Sequence, residues 1–347
     1  MNWTSILLEW FQKNKRDFIW RRTKDPYNIW ILEIILQQTR AAQGLPYYKK
    51  FIDIFPDLPT LALASQDEVL KLWQGLGYYS RAINLHSTAK YIYYECDGKF
   101  PTTFNEIINL KGIGDYTASA IASICYNIPE AVVDGNVYRF LSRFFGISIP
   151  INTNSAHRQF KKKATELMDY DNPGEFNQAM MEFGAIQCKP KNPLCLECPF
   201  KYDCVAHKNQ IIDFLPVKKK NTKLKIRYLN YFVIQDTKQK ILLEKRKEKD
   251  IWKNLFQFPL IELSKPHTKK EELLFQIKSK YNFKIKFEKL ELWNSAPLIH
   301  KLSHQKLYLY FWILNSNGCL QNGISVSDLK NFAMPVVIQN FIDNFYN

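Results

Sequence analysis

The apolar spacing of this chain changes once, at a short basic stretch. From residue 1 to about 210, apolar residues recur mostly at helical spacing. Residues 27–42 display it, with Ile31, Ile34, Ile35 and Leu36 around one side, and 117–126 and 136–145 repeat it. The stretch 217–225, VKKKNTKLK, is poor in apolar residues and predicts a linker. Beyond it, 228–234, 241–244, 283–287 and 307–314 are rich in aromatic and branched residues and predict strands, while 268–280 predicts a helix. The pattern therefore predicts a multidomain chain, all-α over 1–216 and α+β over 226–347, joined by the basic linker 217–225. A length of 347 residues agrees with two domains.

Composition narrows the function. At 46% hydrophobic and 23% charged residues the chain is globular, which excludes a disordered or fibrous protein. Lys and Arg outnumber Asp and Glu by 48 to 33, a net charge of +15, and a chain this basic points to a polyanionic partner, nucleic acid first. The excess is uneven. It is +2 over 1–217 (24 basic, 22 acidic), +5 over 218–225 and +8 over 226–347 (19 basic, 11 acidic). Apolar runs are soon interrupted, so no membrane span is expected. Glu9 breaks the N-terminal apolar stretch, which predicts an amphipathic helix and not a signal peptide. A reducing compartment is expected, where seven cysteines point to metal or cluster ligands before disulfides.

Four of those cysteines, Cys188, Cys195, Cys198 and Cys204, form the run C-x6-C-x2-C-x5-C. Four thiolates so close can enclose a 4Fe-4S cluster or a zinc ion, and structural zinc sites usually have two tight pairs, which this run lacks. Lys189, Lys191, Lys201 and Lys208 surround it as phosphate contacts or a solvated rim. Cys96, Cys125 and Cys319 are expected to be small buried hydrophobes.

Three further segments carry chemistry. Leu110-Lys111-Gly112-Ile113-Gly114 lies between helical segments, and its glycines permit a tight turn with amides exposed toward a DNA phosphate. A plain helix connection reads equally from the same residues. Val132-Val133-Asp134-Gly135-Asn136-Val137 places an acid where a helix N-cap is expected. Glu33 sits among Ile and Leu, either partly exposed or as a carboxylate whose apolar surroundings raise its pKa. Gln37-Gln38-Thr39 follows it as a polar patch able to touch base edges.

Together the L-K-G-I-G hairpin, V-D-G-N-V and the four-cysteine loop resemble the helix-hairpin-helix DNA glycosylases with an iron–sulfur cluster. Trp20-Arg21, the run 32–40 and Gly75-Leu76-Gly77-Tyr78-Tyr79-Ser80-Arg81 are similar to the adenine DNA glycosylase (MutY type) branch, from about residue 3 to the C-terminus. The resemblance implies a 4Fe-4S cluster on Cys188, Cys195, Cys198 and Cys204. It implies excision of adenine opposite 8-oxoguanine or G, with Glu33 giving a proton to the base and Asp134 stabilising the positive sugar. Tyr116 stands where lyase relatives carry a Schiff-base lysine, which implies a monofunctional glycosylase and a supporting role for Tyr116. Trp20, Arg21 and Glu182 would line the adenine pocket. Gln38 and Tyr78 would wedge into the stack, with Thr39 and Leu76 beside them. Gly112 and Gly114 would meet the phosphates.

The segments Ile241–Arg246, Asp250–Leu255 and Phe258-Pro259 resemble the Nudix-like domain of the same family, without the metal-binding Glu box. His300-Lys301-Leu302-Ser303-His304 matches the 8-oxoguanine-sensing loop, with Leu302 where the family usually has Phe, and leaves Ser303 and His304 as the polar pair. The implied partner is double-stranded DNA, and the implied state is a cytoplasmic, nucleoid-associated monomer. A lyase relative and a non-catalytic iron–sulfur DNA-binding protein are the rival readings.

Overall fold

A computed structural model of the chain describes residues 2–219, 224–266, 269–281 and 287–346, without the side chains of 287 and 288. The chain divides into two compact units, Met1–Leu63 with Asn84–Lys220, and Ala64–Ile83 with Asn221–Asn347. A division near residue 217 is thus present, but 64–83 groups with the C-terminal part instead of remaining with 1–216. Residues 220–223 of the expected linker and 283–286 of the expected third strand lie outside the described residues.

The first unit is helical. Its helices are α1 (Trp3–Asn14), α2 (Pro26–Leu36), α3 (Ala41–Ile54), α4 (Leu58–Leu63), most of α6 (Ser80–Glu95), α7 (Phe104–Ile108), α8 (Asp115–Tyr126), α9 (Gly135–Phe145), α10 (Asn154–Glu166), α11 (Pro173–Glu182) and α12 (Val205–Lys208), while α5 (Gln66–Leu72) belongs to the second unit. The helix expected over 27–42 is in fact two. Asp25 caps α2, Pro26 opens it, and the chain breaks at Gln38, whose φ of 58 is left-handed. Nor is α2 one-sided. Every residue from Ile29 to Ile35 is buried, so it is a core helix and not an amphipathic one.

The second unit carries a mixed sheet. Its strands are β1 (Lys225–Gln235), β2 (Lys240–Ile241), β3 (Glu244–Lys245), β4 (Phe256–Gln257), β5 (Leu260–Leu263), β6 (Phe287–Leu292), β7 (Leu298–Lys301), β8 (Gln305–Ser316) and β9 (Ile324–Ser325). The order is β6-β8-β1-β2-β9, with β5 also on β1 and β7 on β8, and β1 runs parallel to β8 over eleven pairs. Residues 241–244, expected as one strand, end one short strand and begin another. One sheet face packs on α14 (Val336–Phe345) through Leu229, Phe311 and Phe341, and the other on α13 (Lys270–Tyr281) through Phe232, Trp312 and Ile277. Residues 64–83 are tied into this unit. Lys71 Nζ donates to the Phe332 carbonyl at 3.1 Å, Gln74 Nε2 to Gln339 Oε1 at 3.0 Å, and Asn254 Nδ2 to Gln66 Oε1 at 2.7 Å.

Candidate active site

In the first unit, α2, α8, the start of α9 and one side of α11 border a cavity of about 970 Å³. Glu33, Tyr116 and Asp134 all line it, as do Trp20, Arg21, Gln38, Thr39 and Glu182. The sequence separates these residues by up to 162 positions; the fold brings them together.

Glu33 is only 5% exposed, so the reading of a partly exposed residue does not hold. Its Oε2 is buried without a hydrogen-bond partner among the described residues. Burial pushes its carboxyl up to about 7, the Asp134 charge adds to the rise, and a hydrogen bond with Tyr116 opposes it. Tyr116, itself raised by burial, also places its hydroxyl 3.6 Å from Met181 Sδ.

Asp134 is the N-cap of α9, and it also faces the cavity. Its Oδ1 accepts from Asn136 N and Val137 N, both at 2.8 Å, and its Oδ2 accepts from Asn136 Nδ2 at 2.7 Å. Burial raises its pKa, while these three donors and the nearby Arg139 pull it back. All three direct partners are donors, so the geometry suits the ionised form. The chain of bonds continues: Arg139 Nη2 donates to Asn136 Oδ1 at 2.8 Å and Arg139 Nε to the Cys188 carbonyl at 2.8 Å. Gly184 permits this close packing, since a Cβ there would lie 2.5 Å from the Asn136 carbonyl oxygen.

Glu182 lines the cavity, but its oxygens are taken. Oε1 accepts from Arg16 N at 3.0 Å and Arg16 Nε at 2.7 Å; Oε2 accepts from Arg16 Nη2 at 2.9 Å and Arg21 Nη2 at 3.0 Å. Burial raises its pKa, yet the Arg16 bonds and the Arg21 charge outweigh this and leave it below the usual value. Glu182 therefore holds two arginines, Arg16 and Arg21, at the cavity wall. The Arg21 Nε–H remains buried without a partner among the described residues, available to a ligand. Phe18 stacks on Trp20 at 4.4 Å, and both line the cavity. Sequence reasoning missed Arg16, Phe18 and Gln178. Phe18 and Gln178 stand two and four residues from predicted ones, and the spacing of α11 puts 178 and 182 on one face.

The remaining expected residues lie elsewhere. Gly112 turns the hairpin with φ 83, where a Cβ would lie 2.7 Å from Asn84 Cβ, and Gly114 caps α8 in extended backbone. Leu76 is buried at 7% exposure. Tyr78 is 45% exposed with φ 46, and both lie in the segment grouped with the second unit. Ser303 and His304 are exposed in the turn between β7 and β8, with Ser303 Oγ 3.1 Å from His304 Nδ1. Leu302 packs partly buried against the sheet core.

Cys188, Cys195, Cys198 and Cys204 line one small pocket with Phe140, Phe144, Phe183 and Phe200. Among the described residues no three His, Cys, Asp or Glu side chains converge as ligands of one ion. Arg143, buried at 3% exposure, places Nη1 3.5 Å from Cys188 Sγ and donates to the Lys189 carbonyl at 2.8 Å. Burial pushes Cys198 up to about 12 and also raises Cys188 and Cys195, so these thiols need a cationic group to become thiolates. Four soft donors beside a buried cation suit a thiolate-ligated anionic group. Cys96 and Cys125 are half-buried and Cys319 is exposed, contrary to the expectation of buried thiols.

Comparison with known proteins shows the family. Residues 31–168 match the HhH-GPD superfamily of base excision DNA repair proteins, and 230–344 match the NUDIX domain. The adenine DNA glycosylase of Buchnera aphidicola subsp. Schizaphis graminum is 34% identical over 351 residues, covering 99% of this chain and 98% of that one. That of subsp. Acyrthosiphon pisum is 37% identical, covering 99% and 97%.

The chain belongs to the adenine DNA glycosylase family.

The adenine DNA glycosylase of Homo sapiens is 41% identical over 209 residues, 58% of this chain and 38% of that one. A thermostable thymine-DNA glycosylase structure is 30% identical with a TM-score of 0.56, covering 59% of this chain and 95% of its own. An endonuclease III–DNA complex, 18% identical at TM-score 0.53 and covering 60% and 94%, shares the fold. As an adenine DNA glycosylase the chain is a hydrolase acting on N-glycosyl bonds in base-excision repair. Tyr116 in the place of a Schiff-base lysine accords with a monofunctional enzyme.

Proposed function

We propose that the enzyme removes adenine mispaired with 8-oxoguanine, and also adenine opposite G, by acid-assisted hydrolysis. The observation that carries this reading is the pairing of two differently held carboxylates in one cavity: Glu33 with a free buried oxygen, and Asp134 with only donors around it. An adenine in a duplex must leave the stack to reach them. The stacked Phe18 and Trp20 offer it an apolar wall, and Arg21 Nε–H offers a donor.

Glu33, protonated near neutral pH, gives its proton to a ring nitrogen of the base. The bond from sugar carbon to adenine breaks, its electron pair goes to the base, and a neutral adenine departs. Asp134 faces the oxocarbenium-like sugar with its negative charge. Water adds to the sugar carbon and its proton returns to Glu33. Tyr116 holds the Glu33 carboxyl in place. Tyr78 and Gln38 act as wedges, and Gly112 and Gly114 present backbone amides to phosphate.

The four cysteines are read as ligands of a 4Fe-4S cluster, which when bound supplies a structural anchor for the basic loop 188–208. Arg143 orients Cys188 and offsets the negative charge there. Purified protein should be brown, with iron and sulfide each near four per chain. Colourless, zinc-loaded and fully active protein would refute this assignment. The partner is double-stranded DNA carrying the mispair, engaged by a monomer inside the cell, and the Ser303–His304 turn senses the lesion.

The test is incubation with a duplex carrying A opposite 8-oxoguanine, with and without later alkali. Free adenine and strand breaks only after alkali are expected. Abundant borohydride-trapped protein–DNA adduct would instead favour a lyase.

A further inference from the structure

The second unit contains a charge cluster in which two buried arginines, Arg227 and Arg246, meet the half-exposed Asp250 and the exposed Glu262. Arg227 on β1 is 5% exposed and binds two carboxylates at once. Its Nη1 and Nη2 meet Asp250 Oδ1 at 2.9 Å and Oδ2 at 2.7 Å, and its Nε and Nη2 meet Glu262 Oε1 at 2.7 Å and Oε2 at 2.5 Å. Arg246 Nη2 donates to the same Asp250 Oδ2 at 2.7 Å. Two arginines balance two carboxylates. Burying the arginines costs about as much as their attraction to carboxylates open to water on one side returns, so the set is weak evidence for a purely stabilising role. Where it points is more informative.

One bond runs from the cluster to β8. Arg227 Nη1 donates to Gln305 Oε1 at 3.0 Å. Gln305 is buried at 7% exposure and is the first residue of β8, directly after the exposed Ser303–His304 pair. The turn is closed by Leu302 N donating to the Gln305 carbonyl at 2.8 Å, and Lys225 N donates to the His304 carbonyl at 3.1 Å. A second tie reaches the other side of the turn. Asp250 begins a loop in which Trp252 and Asn254 take φ of 60 and 66, a region side chains other than Gly seldom adopt. The cluster holds that loop: Arg246 Nε donates to the Ile251 carbonyl at 3.1 Å, and Asn254 N donates to the Arg246 carbonyl at 2.7 Å. So held, Trp252 lays its ring 5.9 Å from that of His300 on β7. Both strands flanking the turn are thereby fixed to one charged centre, β8 through Gln305 and β7 through Trp252.

We infer that Arg227, Gln305 and Asp250 are positioning residues for lesion discrimination, a clamp that fixes the Ser303–His304 turn in its binding geometry. The inference rests on the reading of that turn as the 8-oxoguanine sensor. Two polar groups on an exposed two-residue turn discriminate only when their positions are set in advance, because freezing them on binding would consume the energy of the contacts. Leu302 supplies little of this fixing beyond apolar packing, so the polar anchors beneath carry it.

The experiment measures single-turnover excision from A opposite 8-oxoguanine and from A opposite G with the full chain, and takes the ratio of rates. Gln305→Leu removes the outgoing bond and leaves both Arg227 carboxylates in place. It should lower the ratio about tenfold, the size expected for one misplaced recognition contact. Gln305→Glu keeps an acceptor facing Arg227 and should restore most of the ratio. An unchanged ratio in Gln305→Leu, or an equal loss in both variants, would overturn the clamp. Ser303→Ala with His304→Ala, run in parallel, separates the two ideas: a retained ratio there sinks the sensor reading itself, whereas a lost ratio there beside a retained one in Gln305→Leu sinks only the clamp.

Discussion

Glu33 in the first unit and the Asp250 and Glu262 carboxylates in the second are held in opposite ways. In the second unit Asp250 and Glu262 have both oxygens engaged by Arg227. In the first unit Glu33 keeps one oxygen buried and unpartnered among the described residues, and burial pushes its pKa up to about 7. A folded chain normally satisfies such atoms, because an unmade buried hydrogen bond costs about 1–3 kcal/mol. The contrast separates two uses of buried charge. Paired charge fixes geometry; a carboxyl left short of partners holds a proton ready to transfer. Asp134 falls between them, since donors hold it ionised while it faces the same cavity.

That contrast can be broken by substitution. The largest effect is expected for Glu33→Gln, which removes the proton donor but preserves shape. Excision should fall by about 100- to 10,000-fold, the range for loss of a general acid, while lesion-duplex binding is kept. Asp134→Asn should follow, with a loss of about 100- to 1,000-fold from the missing counter-charge. Because Asn caps helices as well as Asp, its melting temperature should barely change. A collapse in stability there would mean that the cap, and not the charge, is what Asp134 supplies.

Glu182→Gln tests the paired kind of carboxylate within the first unit. It leaves Arg16 and Arg21 facing each other without a counter-charge, and should cost about 1–3 kcal/mol of stability and weaken adenine binding. The smallest effect concerns Glu33 itself. Its folded pKa is raised above the ordinary 4.5, so the stability it contributes is fully present below that value and lost as pH rises through about 7. Glu33→Gln should therefore melt at a higher temperature than the wild type above neutral pH, with the difference shrinking in acid. A pH-independent difference would show that Glu33 is not the buried proton holder.

The two halves of the chain were unequally legible. The hairpin, the Asp134 cap, the cysteine loop and the switch from helical to alternating spacing are local patterns, and local patterns survive in a sequence. Glu33 was recognisable because charge interrupts an unbroken apolar run. The break at Gln38 was hidden, because no Gly or Pro marks a left-handed residue there. Glu182 lines the cavity as expected, but its bonds to two arginines were not legible. Its partners Arg16 and Arg21 are more than 160 positions away, and no spacing rule links an acid on α11 to a base before α2. The grouping of 64–83 with the C-terminal part depends on single contacts such as Tyr79 Oη to the Met334 carbonyl at 3.4 Å, which leave no periodic trace. It also argues against truncation as a test of the second unit, since removing 226–347 would strip that segment of its partners.

The central claim is that a proton on Glu33 limits excision, and the single-turnover rate against pH tests it most directly. The rate should hold below neutrality and fall about tenfold per pH unit above a midpoint near 7, where Glu33 loses its proton. Glu33→Gln should lack that alkaline limb. A wild-type rate that stays level or climbs from about pH 6 to about pH 9 would contradict the account.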